Sequence, residues 1–292
     1  MAHPEDMRQP TQKTTSVGPI PTLLSAASFA LGVFIAARSL RLKREAEEHL
    51  REKELNDRFS KAIEQLVSRR PFEQLGGIYA LEGIMLDSER IQPTVVELLA
   101  AFVRENAPVS AGGADDHLDQ RVRPTEPVKA ALIVLGRRPK RNEPFRVDLR
   151  RTDLRGAYLE YARLEGANLG ASRLEGAFLE GCQLQGAWLG DTCMHEADLE
   201  EVNLEGADLY GADMKRAKNL TLNQVLAARP THWTQLPPDL SPDDHQDLER
   251  RMSAVEHNEV PVHFLRACAD GREILPLGEM DEARQRWLEA VN

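Results

Sequence analysis

The chain has 292 residues, of which 29% are charged and 5% aromatic, with a formal net charge of −10. This length admits two modules with separate cores, and the acidity excludes general nucleic-acid binding, so no direct nucleic-acid contact is expected. Cys182, Cys193 and Cys268 form no CxxC pair and leave an odd thiol, which favours a reducing compartment over a secreted disulfide framework.

The acidity is localised. Residues 1–37 are neutral, 38–146 carry +2, 147–216 carry −7 and 217–292 carry −5. After a short tail, 1–19, no charge occurs from Thr14 to Ala37, and Ile20 to Ala37 is a run of 18 mostly apolar residues. That run is close to the minimum for crossing a bilayer and predicts a transmembrane helix over 20–37. A cleaved signal peptide is the alternative, but it wants a cationic start, whereas Arg8 and Lys13 are balanced by Glu5 and Asp6. Arg38, Arg41, Lys43 and Arg44 follow at once, which predicts a single-pass protein of the cell membrane with its N-terminus outside and its bulk cytoplasmic. Ser28, Gly32 and Ala36, spaced by four, offer a small-residue face for span self-association and hence a homodimer. Small residues are also simply common in such spans.

Residues 38–106 read as a helical stalk and a small helical bundle. The stretch after Arg38 lacks Pro and Gly and sets Arg44 against Glu48 and Glu47 against Arg51, one helical turn apart. Apolar residues return at helical spacing at Phe59, Ile63, Leu66 and Val67, then at Leu75, Ile78, Leu81 and Met85, then at Val95, Leu98, Leu99, Phe102 and Val103. Residues 107–126, with Gly112, Gly113 and Pro124, read as a mobile linker, and 127–146 as a helix leading onward.

From Val147 to Arg216 the chain repeats with a period of five. Leu or Met recurs fourteen times without a break, from Leu149 through Leu154 and Leu159 to Met214, and a compact residue such as Ala157, Ala167 or Cys182 stands two positions before each. A period of five fits neither helix nor strand, so each unit must form one side of a coil and then turn. Ala167-Asn168-Leu169 and Ala207-Asp208-Leu209 resemble the pentapeptide-repeat family, whose pattern is A(D/N)Lxx. The helices before the repeat are also similar to those of some actinobacterial members. The resemblance implies a right-handed quadrilateral β-helix, four repeats to a coil, with the central and compact residues pointing inward. The expected fold is therefore α plus β-solenoid: a transmembrane helix, a helical module, the solenoid, a C-terminal cap over 217–240 and a mixed tail over 241–292.

Residues twenty apart then share a face. Glu160, Glu180 and Glu200 form one outward column and Tyr158, Phe178 and Asp198 another beside it, an expected docking face for a protein partner with a basic, partly apolar surface. Acidic residues that merely keep a solenoid soluble are the alternative account. No GxxxxGK, GxGxxG, HExxH or GxSxG motif occurs, so no enzyme activity and no cofactor are expected. Cys193 and His195, with no second ligand pair, make a poor metal site, so no metal is expected. The leading reading is a non-catalytic, membrane-tethered interaction or scaffold protein. The runner-up is an acidic DNA mimic that binds a topoisomerase or another DNA-binding protein, as the family resemblance implies for some members.

Overall fold

The computed structural model describes residues 20–109, 123–240 and 246–257; side chains of 20–33, 35–37, 251 and 253–257 lie outside the description. The chain divides into two units, Met1–Asn56 and Asp57–Asn292. The first helix, α1, runs Ile20–Leu66. In the first unit the side chains from Arg38 onward are almost all exposed, as a stretch dense in Lys, Arg and Glu requires. The expected span at 20–37, with Ser28, Gly32 and Ala36, falls where side chains are not described. Among the described residues no helix is long and apolar enough to cross a membrane.

In the second unit the end of α1 buries Ala62 and Leu66 against α2, Pro71–Asp87. Gly77 permits that contact: a Cβ there would lie 2.7 Å from the backbone at Ala62 and at Leu66. Helix α3 covers Gln92–Asn106 and α4 covers Glu126–Arg137. Both α2 and α3 pack on α4, which buries Val128, Ala131, Leu132 and Leu135 almost completely. Helix α4 runs into the repeat and is at the same time part of the bundle. Its apolar residues occupy more than one face, so it becomes the central helix of the bundle.

The linker reading also changes at its start. Ala107 O accepts from Asp153 N at 2.7 Å, Val109 N donates to Arg151 O at 2.9 Å, and Pro108 bridges Thr152. These residues cover the exposed edge of the first coil. Linker residues 110–122 lie outside the description.

Arg138 fastens the bundle to the repeat. Its side chain, 4% exposed, pairs with Glu143 at 2.8 Å, donates to Leu135 O at 2.7 Å, and donates to Arg163 O. In return Arg163 donates to Arg138 O at 3.0 Å, and its backbone N–H reaches Gly136 O at 2.8 Å.

The repeat confirms a coil of four pentapeptides. Parallel bridges join residues twenty apart in four series, one of which is Tyr158–Phe178, Phe178–Asp198 and Asp198–Lys218. All fourteen Leu or Met centres are at most 2% exposed, and the compact residues two before them are buried as well. Beyond Arg216 the rungs continue irregularly, with Arg229 under Asp208 and Gln235 under Asp213.

The backbone donors explain the motif. In the repeat Leu174–Glu175–Gly176–Ala177–Phe178–Leu179, Ala177 N closes a turn onto Leu174 O at 3.0 Å. Phe178 N donates back to Ala157 O at 2.9 Å, while Leu179 N and Gly176 N donate forward to Asp198 O and His195 O at 3.0 and 2.8 Å. Only the residue just after each centre is left over. Where Asp or Asn precedes the centre, its Oδ1 accepts that last N–H: Arg155 from Asp153, Gly170 from Asn168, Glu200 from Asp198, Glu205 from Asn203 and Tyr210 from Asp208, at 3.0–3.3 Å. The Asp/Asn of the motif is thus an Asx cap that completes the accounting.

The turns fix the last position. From residue 151 to 211 every second residue after a centre has positive φ, whether Gly, as at Gly156, or not, as at Tyr161 and Glu201. Positive φ at the third residue of a hydrogen-bonded turn is the type II signature and favours glycine.

Helix α5, Leu222–Ala227, closes the far end. Thr221 and Gln224 form a reciprocal capping box, and Gln224 Nε2 donates to Leu199 O and Val202 O at 2.8 and 3.0 Å. The last helix among the described residues, α6, spans Gln246–His257 and packs on α5 with Leu248 and Met252 buried.

Replacing Arg138 with alanine removes the cation that pairs with Glu143, which keeps only its hydrogen bond from Gln92, and takes a donor from the carbonyls of Leu135 and Arg163. Stability should fall by about 3–5 kcal/mol, the usual result of removing one member of a buried pair. Chemical denaturation of wild type and Arg138→Ala checks this; a loss below about 1 kcal/mol, the range of a surface pair, would show that the junction is not held this way.

Candidate interaction face

The interior of the repeat is filled by its own Leu, Met and compact residues, so chemistry is confined to the outward positions. The face bearing Tyr158 departs from the motif. At 158 and 178 aromatic residues replace the capping Asp or Asn, and among the described residues the N–H groups of Glu160 and Glu180 have no acceptor. The two rings stack at a centroid distance of 5.0 Å and an interplanar angle of 4°. They are 42% and 37% exposed, so the stack is open to solvent on one side.

Asp198 continues this column but keeps the structural role, its Oδ1 accepting from Glu200 N and from Asn219 Nδ2 at 3.2 and 2.8 Å. Exposed Lys218 ends the column. At the other end Arg123 Nη1 donates to Tyr158 Oη at 3.2 Å.

The carboxylates beside the aromatics are not equivalent. Glu160 and Glu200 are exposed, and among the described residues no cation pairs with them. Glu180 accepts a hydrogen bond from the hydroxyl of Tyr161, and that bond raises the phenol pKa above its ordinary value. Tyr161 was not among the residues singled out from sequence. It occupies the turn position where glycine is usual, with φ 56°, and its ring lies over Gly181, where a Cβ would approach it to 2.5 Å. The signal available was an aromatic residue at a glycine position. The face therefore presents three aromatic rings, from Tyr158, Tyr161 and Phe178, bordered by Glu160, Glu180 and Glu200.

Elsewhere the acidity is partly neutralised. Arg155 pairs with Asp153 at 2.6 Å and Arg173 with Glu175 at 2.9 Å, both in the first coils. From residue 176 to 214 there are nine carboxylates and no Lys or Arg. The negative charge is thus graded along the solenoid.

Cys193 lies half-buried between Arg173 and Asp213, and His195 Nε2 stands 2.9 Å from Asp213. No group of metal-binding side chains is assembled among the described residues. Burial pushes the Cys193 thiol up to about 11 and the Cys182 thiol up to about 12. Neither is a nucleophile near neutral pH.

Outward faces on a filled, four-sided coil of pentapeptides define a repeat protein. The family described as pentapeptide repeats (8 copies) matches residues 146–170, 162–200 and 177–216. This segment belongs to the pentapeptide-repeat family, whose members are generally structural or interaction proteins rather than enzymes. Among solved structures, a pentapeptide repeat protein from the cyanobacterium Cyanothece 51142 is 34% identical over 27% of this chain and 65% of its own, with a TM-score of 0.19. HetL of Nostoc sp. strain PCC 7120, a pentapeptide repeat protein involved in heterocyst differentiation regulation, is 33% identical over 34% of this chain and 48% of its own, with a TM-score of 0.14. The chain thus spans less than two thirds of the length of either. No curated protein matches it.

The buried thiol gives a direct check on the packing. In a Cys193→Ser, Cys268→Ser variant at pH 8, Cys182 should resist an aromatic disulfide reagent until the protein is unfolded. Rapid labelling of the native protein would contradict the burial described for this position.

Proposed function

We propose that the protein is a non-catalytic scaffold that docks a protein partner on the face formed by Tyr158, Phe178, Tyr161 and the carboxylates of Glu160, Glu180 and Glu200. One observation carries this reading: two aromatics stand stacked and exposed at 158 and 178, positions where the motif places a capping Asp or Asn. Stacked aromatics left exposed at consecutive rungs, with no gain to the interior, are the pattern of a functional surface. Aromatic rings bordered by carboxylates suit a partner that offers apolar groups and Lys or Arg.

The tether is part of the same proposal. The charge-free run from Thr14 to Ala37, followed directly by Arg38, Arg41, Lys43 and Arg44, supports a membrane anchor with the solenoid on the cytoplasmic side. Recovery of the full chain in the membrane fraction after an alkaline wash supports the anchor, and release removes it. A DNA mimic is less well supported, because Arg155 and Arg173 interrupt the negative surface in the first coils.

Restoring the caps separates binding from folding. The double variant Tyr158→Asn, Phe178→Asn should keep its melting temperature within a few degrees, since two caps of about 1 kcal/mol each offset a lost ring stack of about the same size. It should lose the partner crosslinked in the native cell by a photoreactive residue at position 160. An unchanged crosslinking pattern at full stability would remove the docking proposal.

A further inference from the structure

A second exposed stripe lies on α2, away from the residues assigned to the solenoid face. Phe72, Tyr79 and Leu86 are 89%, 48% and 55% exposed, and their spacing of seven keeps them within about 40° around the helix. Ile133 of α4, the helix that packs on α2, is 41% exposed. One turn from it, Arg137 holds Glu82 at 2.6 Å and feels the field of Tyr79.

The residues between the bulky ones are Gly76 and Gly83. A Cβ at either would meet only side-chain ends, Gln65 at 3.6 Å and Arg58 at 3.8 Å, which is ordinary contact. The fold demands glycine at Gly77 but not at these two positions. Glycine weakens a helix interior, and here it leaves hollows between knobs where another backbone could approach.

The stripe is symmetric about Tyr79, with Phe72 and Leu86 seven residues to either side. Charges flank it: Arg69 stands just before α2, Glu89 and Arg90 just after it, and neither Arg69 nor Glu89 has an ion-pair partner among the described residues.

We propose that this stripe pairs with the same stripe of a second copy of this chain, antiparallel about a two-fold axis at Tyr79. Phe72 then meets Leu86 of the second copy, Tyr79 meets its own equivalent, and Arg69 meets Glu89. An isologous contact must be self-complementary in this way. Parallel pairing would set Arg69 on Arg69 and Glu89 on Glu89. A bilayer surface would want basic residues at both ends, and Asp87 and Glu89 occupy one.

Positional crosslinking of the full chain in detergent micelles, with Cys193 and Cys268 changed to serine, tests the pairing. Tyr79→Cys should link to itself under mild oxidation, and chains carrying Phe72→Cys should link to chains carrying Leu86→Cys but not to one another. Arg69→Glu should weaken the dimer roughly fivefold, the effect of an exposed ion pair, and adding Glu89→Arg should restore it. Three results would each overturn the proposal. One is a Phe72→Cys chain that links to itself. Another is a Tyr79→Cys chain that stays unlinked with native helix content. The third is a Tyr79→Asp variant that loses binding to anionic vesicles while its mass in solution is unchanged.

Discussion

The backbone of the repeat must place one donor per residue, and every coil solves this with the same few contacts. Three N–H groups of each pentapeptide go to neighbouring coils, one closes a turn, and one is left for a side chain. The offset of twenty follows from four such units per coil, and the inward column of Leu and Met follows from the offset. Burial of those side chains provides the main favourable term, while the hydrogen bonds chiefly prevent the loss that unpaired groups would bring. A solenoid built this way has its inside fully committed. Only positions pointing outward are free to carry function.

That freedom is unequal. The residue before each centre caps a backbone N–H where it is Asp or Asn, and Arg163, Arg173, Gln183, Trp188 and Cys193 show that the coil tolerates other residues there. Tyr158 and Phe178 occupy two successive rungs of one face, and Tyr161 adds a ring at a turn position that favours glycine. The ends of the solenoid are settled separately. Arg138 and the 107–109 segment cover the first coil, while Gln224 of α5 covers the carbonyls of the last. Neighbour-stabilised repeats need such covers, and the helical bundle provides one of them.

The period of five was legible because the inner column is written at a fixed local spacing, from Leu149 to Met214. The faces were legible for the same reason, since residues twenty apart need only a coil length. The purpose of Asn168 or Asp208 was not, because a cap is visible only when the other four donors have been counted. The Arg138–Glu143–Arg163 junction joins residues far apart in sequence whose types look like ordinary surface charges. The packing of α4 on α2 and α3 was not legible because these neighbours lie across a glycine-rich stretch that sequence reads as a divider.

The central claim is that Asp and Asn before the centres satisfy the last backbone donor, and that the aromatic face forgoes this. Residue-resolved hydrogen exchange of the native protein measures it directly. The amides of Glu160 and Glu180 should exchange much faster than those of Leu159 and Leu179, while Glu200 and Glu205 stay protected and Glu200 loses protection in Asp198→Ala. Equal protection at Glu160, Glu180, Glu200 and Glu205 would contradict the account.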